Sequence, residues 1–424
     1  MKELNAAIIT IGDELLIGQT VDTNSAWMAK QLNAIGVWVK RRVAVGDDER
    51  DIRQALDEES KNADIILLTG GLGPTADDIT KPLLCKYFGG KMVVNEQVLL
   101  HVKYLFEHVY RRPGGMLERN IKQAEVPDNC TVLMNERGTA PGMWFEKEGK
   151  VYVSLPGVPH EMKGLMEKEV LPRLLRQFHM PVILHETLLT FGIGESMLAE
   201  AIKDWEEALP SHIKLAYLPH FGMVRLRLTS TGSDKNALEA ELEEQVFQLK
   251  NFVKEWLVID EDLTMQQVVA RLLKERKQTV GTAESCTGGY IAHLLTMDAG
   301  ASSNFKGTVV AYDNQVKKDV LEVSGESLDT VGAVSEEVVI QMAKGVLKHL
   351  KTDFALATSG IMGPDGGSEK KPIGMVWVAV GNAESIETKE FQFRFDRMRN
   401  IEQTSIAALN LLRKFIVENH GRTD

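Results

Sequence analysis

Residues 64–69, DIILLT, form a continuous apolar run that leads straight into a glycine turn and a helical pattern, GGLGPTADDITKPLLCKYF. A strand that is apolar at consecutive positions has to be covered on both faces. The run at 6–11, AAIITI, has the same character and ends at Gly12, and the segment 22–35 has helical apolar spacing at Trp27, Met28, Leu32 and Ile35 before Gly36. Strand alternating with helix predicts a parallel α/β sheet. The pattern closes near residue 172. Residues 173–258 read as a small α+β unit, with strands at HETLLTF and MVRLRLTST and helices over ESMLAEAIKDWEEAL and ALEAELEEQVFQLKNFVKEW. Residues 259–424 return to α/β, with strands at QTVGTA, GTVVAY, FALATSG and GMVWVAV. The expected architecture is therefore α/β in three domains, 1–172, 173–258 and 259–424.

The formal net charge of -11 weighs against a general nucleic-acid binder, which needs a basic surface. Three scattered cysteines, Cys85, Cys130 and Cys286, make neither a zinc site nor a disulfide framework and fit a reducing compartment. No apolar stretch reaches the length of a membrane span. A cytoplasmic enzyme or binding protein is the expectation.

The third region contains TVGTAESCTGGYIAHLL, in which a strand ends at Glu284–Ser285 and a helix begins within Thr287–Gly289. Ser285 at such a turn is either a nucleophile beside free backbone N–H groups or a helix cap with glycines for packing. The histidines of this region, His293, His349 and His420, all lie in or at the end of helical patterns. A lysine serves as base instead if its pKa falls through burial or a nearby cation. Lys317 follows the strand GTVVAY, with Tyr312 at the strand's end to orient it or relay a proton; both residue types also occur there as ordinary surface or edge groups. The loop SGIMGPDGGSEKKPIG carries Gly360, Gly363, Gly366 and Gly367, suited to close approach of a phosphate or sugar or to a long turn. Arg397 or Arg399 could grip a phosphate or lower the lysine's pKa.

In the first region Gly70, Gly71, Gly73 and Thr75 form a turn ahead of Asp77 and Asp78. Thr75 and Asp78 have capping-box spacing, and both acids fall in the expected first helical turn. The same acids, with Asp13 and Glu14 at the same sheet edge, could instead hold a divalent metal for pyrophosphate cleavage. Pro156, Gly157 and Glu161 lie in the proline-rich LPGVPHEM.

AESCTGG, Tyr312 and Lys317 placed 27 and 32 residues after Ser285, SGIMGPDGG…KPIG and Arg397 together resemble the nicotinamide mononucleotide deamidases. That resemblance implies hydrolysis of the carboxamide of nicotinamide mononucleotide, without a cofactor. Catalytic roles are implied at Ser285, Tyr312, Lys317 and Arg397, with Thr287, Gly288 and Gly289 beside the substrate. Cys286 is the rival nucleophile by chemistry. TIGDELLIG, DTNS, TGGLGPTADDIT and LPGVPHEM resemble the MoaB/MogA-type molybdopterin-binding fold. End to end, the chain resembles the CinA family (competence/damage-inducible protein A). The resemblance implies a divalent-metal-dependent ADP-ribose pyrophosphatase in the first domain, a KH-like middle domain and a homodimer. The middle region has GIGE at 192–195 but no GXXG loop, and nucleic acid is not an expected partner. A non-catalytic pterin- or nucleotide-binding role for the first domain is the alternative.

Overall fold

The computed structural model describes residues 4–75, 78–110 and 118–419. Packing gathers the chain into two compact units, Met1–Leu184 with Ser230–Ala240, and His185–Thr229 with Glu241–Asp424.

The first region contains β1 (Asn5–Ile11), β2 (Trp38–Val45), β3 (Ile65–Thr69), β4 (Met92–Val94), β5 (Glu125–Pro127), β6 (Thr131–Leu133), β7 (Gly142–Lys147) and β8 (Lys150–Leu155). Six of these form one sheet in the order β2-β1-β3-β8-β7-β6, and β4 pairs with β5. Every residue of β3 is buried, as its unbroken apolar run requires. Met28, Leu32 and Met162 cover one face of the sheet, and Ile52, Leu56 and Leu83 the other. Pairing is parallel from β2 through β1 and β3 to β8. The remaining strands are antiparallel, so the sheet is mixed rather than purely parallel. The cause is local: Glu148 and Gly149 both adopt left-handed φ, 53° and 74°, and make a two-residue hairpin between β7 and β8.

The middle region carries β9 (Val182–Phe191), β10 (Ile213–His220), β11 (Met223–Gly232) and β12 (Leu257–Ile259) in the order β10-β11-β9-β12, with the long helix Lys235–Phe252. The single helix expected over 195–209 is two, Glu195–Ala201 and Lys203–Glu207. They break where Ile202, buried and β-branched, leaves helical geometry.

The third region contains β13 (Val280–Glu284), β14 (Phe305–Val310), β15 (Phe354–Gly360), β16 (Met375–Gly381) and β17 (Ile386–Gln392), in the order β14-β13-β15-β16-β17. The first three are parallel, so the loops after β13, β14 and β15 leave one edge of the sheet, where α/β folds place ligands. Leu273, Leu295, Leu412 and Phe415 pack one face, and Leu321, Val339, Met342 and Val346 the other. Leu189 and Met223 of the middle region enter the first of these cores. No helix among the described residues is long and apolar enough to cross a membrane.

Candidate active site

Ser285 is the first residue beyond β13. Its N–H donates to Thr358 O at 3.0 Å, and its carbonyl accepts from Gly288 N at 3.2 Å. The turn needs two left-handed residues in succession, Gly288 (φ 60°) and Gly289 (φ 97°), which explains the glycine pair. The following helix, Tyr290–Thr296, is capped at Gly289, so Ser285 is not its cap. Ser285 is half-buried.

Lys317 sits in the first turn of the helix Asn314–Leu321, whose cap Asp313 accepts from Gln315 N. It is 1% exposed. Its Nζ donates to Ala311 O at 2.8 Å and Tyr312 O at 3.2 Å. Burial lowers its pKa from the ordinary 10.5, while Asp313 and the Cys286 thiol act in the opposite direction. Burial, rather than an arginine, is thus the main force favouring the neutral amine. The Cys286 thiol is also buried and is pushed up to about 12, which disfavours its thiolate.

Tyr312 meets Lys317 only through its carbonyl. Its phenol is largely exposed and accepts from Arg397 Nη2 at 3.0 Å. Arg397 Nη1 donates to Gly363 O at 2.7 Å. One guanidinium therefore joins the end of β14 to the glycine loop. Arg399 is exposed and faces Asp396 at 3.8 Å. Within the loop, a Cβ on Gly360 would lie 2.7 Å from Val376 and one on Gly367 2.9 Å from Ile373, so these two glycines serve the loop's own packing. Gly366 has open space around it, with nothing nearer than Ile361 at 3.8 Å.

Two expected substrate contacts are already engaged inside the protein. Thr287 is buried, with its hydroxyl against Glu284 and Thr358, and the Gly289 N–H donates to Glu284. With Gly288 N also used, only the N–H groups of Cys286 and Thr287 remain without a carbonyl or carboxylate partner among the described residues. Sequence reasoning missed Glu284. It also missed Asn400, fully buried, whose Nδ2 donates to Met362 O and Phe395 O, tying the glycine loop to the helix that carries Arg397.

In the first region Gly70 is wedged between strands, since a Cβ there would lie 2.2 Å from Ile11 O. A Cβ on Gly71 would lie equally close to Thr80 Oγ1, and one on Gly157 3.4 Å from Gly70. Pro156 O accepts from Thr69 Oγ1 and Gly157 O from Asn24 Nδ2. Asp78 precedes the helix, which starts at Thr80, rather than lying in its first turn. Its carboxylate accepts from Gly73 N, Thr75 N and Thr75 Oγ1 at 2.5–2.8 Å, closing the loop on itself. Asp13 exchanges hydrogen bonds with the backbone N–H and carboxylate of Asp47. Glu14 lines a cavity of about 120 Å³ with Thr10, Asp22, Asn24, Thr69 and Gly157. Asn24 Oδ1 is buried there without a partner among the described residues. Asp77 lies outside the described residues. Among those described, no three His, Cys, Asp or Glu side chains gather as metal ligands. Of the described members of the expected carboxylate set, Asp13 and Asp78 make these loop contacts and Glu14 faces the cavity.

Comparison with known proteins follows the same three regions. Residues 7–176 match a probable molybdopterin binding domain, 185–258 the damage-inducible protein CinA KH domain and 262–416 the CinA C-terminal domain. A CinA-like protein of Flavobacterium psychrophilum is 45% identical over 420 residues, covering 99% of this chain and all of that one. A CinA-like protein of Cytophaga hutchinsonii is 46% identical over 413 residues, 97% of this chain and 98% of the other. Among solved structures, the competence damage-inducible protein A of Klebsiella pneumoniae is 35% identical, covering 36% of this chain and 95% of that one, with a TM-score of 0.35. The protein CinA of Thermoplasma acidophilum is 34% identical over 40% of this chain and 98% of its own, with a TM-score of 0.37. The chain belongs to the CinA family, in a three-domain form that joins a MoaB/MogA-like α/β domain, a KH-like domain and a CinA C-terminal domain.

Proposed function

We propose that the third region is a serine amidase that hydrolyses the carboxamide of nicotinamide mononucleotide to nicotinate mononucleotide and ammonia. The single observation that carries this reading is Lys317. A neutral amine has two N–H groups and one lone pair. Both donors are engaged by the carbonyls of Ala311 and Tyr312, and burial favours the unprotonated form, so the lone pair is left to accept a proton. In the proposed reaction Lys317 takes the Ser285 hydroxyl proton as Oγ bonds to the carboxamide carbon. The N–H groups of Cys286 and Thr287 receive the oxyanion. The C–N bond breaks, and ammonia leaves with the proton from Lys317. Water, deprotonated by the same amine, then releases the acid and restores Ser285. Arg397, Tyr312 and the open loop at Gly366 suit the ribose phosphate. Ser285→Ala should end ammonia release without loss of fold. Turnover by that variant near the wild-type rate would contradict the assignment.

For the first region we propose nucleotide binding at the cavity around Glu14, Asp22 and Asn24, with ADP-ribose as the ligand. The buried, unpartnered Asn24 Oδ1 favours a polar ligand there. AMP and ribose 5-phosphate released from ADP-ribose, with and without chelator, distinguish metal-dependent cleavage from binding alone.

A further inference from the structure

Glu284, the last residue of β13, is fully buried, although nothing in the amidase scheme uses it. Burying a carboxyl group is unfavourable unless its lone pairs are met. Six donors meet it. Oε2 accepts from Thr287 Oγ1 (2.8 Å), Gly289 N (3.0 Å) and Ile291 N (3.0 Å). Oε1 accepts from Ala292 N (2.8 Å) and faces the hydroxyls of Thr282 (3.3 Å) and Thr308 (3.4 Å). The donors at 287–292 all belong to the chain immediately after Ser285. The backbone of Glu284 is fixed independently of them. It lies in register with Val310 of β14 and Thr358 of β15, and its carbonyl accepts from Ala311 N at 2.9 Å. Ala311 O is in turn the nearer acceptor of Lys317 Nζ. A continuous set of hydrogen bonds therefore runs from the nucleophile turn through Glu284 and Ala311 to the base.

We infer that Glu284 is a positioning residue for the amidase, setting the Ser285 turn in register with Lys317 and reserving the Cys286 and Thr287 N–H groups for the oxyanion. The inference rests on the amidase reading above. A cap needed only for helix stability would be met by Ser, Asn or Asp at the turn itself. A carboxylate reaching out from the interior strand β13 ties the turn to the sheet whose neighbouring strand β14 leads to the base. Glutamine at this position keeps the size and one acceptor oxygen, which can serve the three donors of Oε2. Its amide NH2 then opposes the Ala292 N–H.

The test compares wild type, Glu284→Gln and Glu284→Ala for ammonia release from nicotinamide mononucleotide, with kcat and KM separated and melting measured in parallel. The expected result is a kcat lower by about tenfold for Gln and about a hundredfold for Ala, with KM within about threefold of wild type. Should the alanine variant fail to fold, the glutamine variant still decides. Wild-type kcat in a folded glutamine variant with a lowered melting temperature makes Glu284 merely structural and overturns the inference alone. A raised KM at constant kcat makes it a binding group and does the same. Absence of ammonia release by wild type overturns the amidase reading and this inference with it.

Discussion

Replacing Lys317 with methionine separates the catalytic role of that side chain from its effect on stability. The folded chain holds the Lys317 proton less tightly than the unfolded chain, where the pKa keeps its ordinary 10.5. Between the two pKa values the unfolded state binds more protons, so this group makes stability rise with pH across that window. Below the lowered pKa its penalty is present in full, and it disappears as the pH climbs through the ordinary lysine value. Methionine, of similar length, removes the penalty. It also leaves Ala311 O and Tyr312 O without their donor, at about 1–3 kcal/mol for each buried group. The two effects oppose each other. A net change of about 2 kcal/mol in either direction corresponds to roughly 4–8 °C in melting temperature for a unit of this size. Catalysis has no such offset, and losing a general base costs about 10²–10⁴-fold. The assay is ammonia release from nicotinamide mononucleotide, with calorimetry at neutral and alkaline pH. The variant should melt near wild type, lose the alkaline rise in stability and be nearly inactive. Ammonia release within about tenfold of wild type would refute the role of Lys317 as base.

Other consequences follow from the same geometry. Wild-type kcat/KM should increase with pH through the lowered Lys317 pKa, since only the neutral amine accepts a proton; a rate that falls over that limb contradicts the scheme. Arg397→Met severs the link between Tyr312 and Gly363 and should raise KM by about tenfold or more, whereas Arg399→Met, at an exposed site, should leave kinetics unchanged; steady-state kinetics on the pair decides. Cys286→Ala should keep activity within about threefold, and the wild-type thiol should resist alkylation near pH 8 because burial holds it protonated; mass spectrometry after iodoacetamide reads this directly. Phe415→Ala empties a fully buried site against Phe354, with ring centroids 6.1 Å apart, and should cost about 3–5 kcal/mol in denaturant unfolding.

The layout of the site was legible where function depends on residue type at the end of a strand. Ser285 stands just past the buried strand β13, Tyr312 and Lys317 follow the edge strand β14, and parallel pairing of β13 with β14 and β15 brings the strand ends to one edge. Arg397 was preferred to Arg399 from the family resemblance; what the sequence did not show is that its guanidinium reaches Gly363 and Tyr312 across the fold. Glu284 was hidden for a different reason. In sequence it is one charge at the end of a strand, and only the fold reveals the donors that surround it; the available signal was a glutamate closing a run that is otherwise fully buried. Asn400 gave no signal, since its partners lie on the glycine loop and just ahead of its own helix. In the first region Thr75 and Asp78 were correctly paired by spacing, but as the closure of a loop two residues ahead of the helix rather than as its cap. The mixed sheets escaped prediction because strand direction is set by turns: the Glu148–Gly149 hairpin reverses β7 against β8, and the glycine loop reverses β16 against β15.

The central claim is that Ser285, activated by a buried Lys317, hydrolyses a nucleotide carboxamide. The most direct measurement is ammonia release from nicotinamide mononucleotide by the purified protein beside its Ser285→Ala variant, with both shown to be folded by their melting curves. The account predicts ammonia and nicotinate mononucleotide in equal amounts from wild type and none above background from the variant. Equal turnover by both proteins, or none by either, would contradict it.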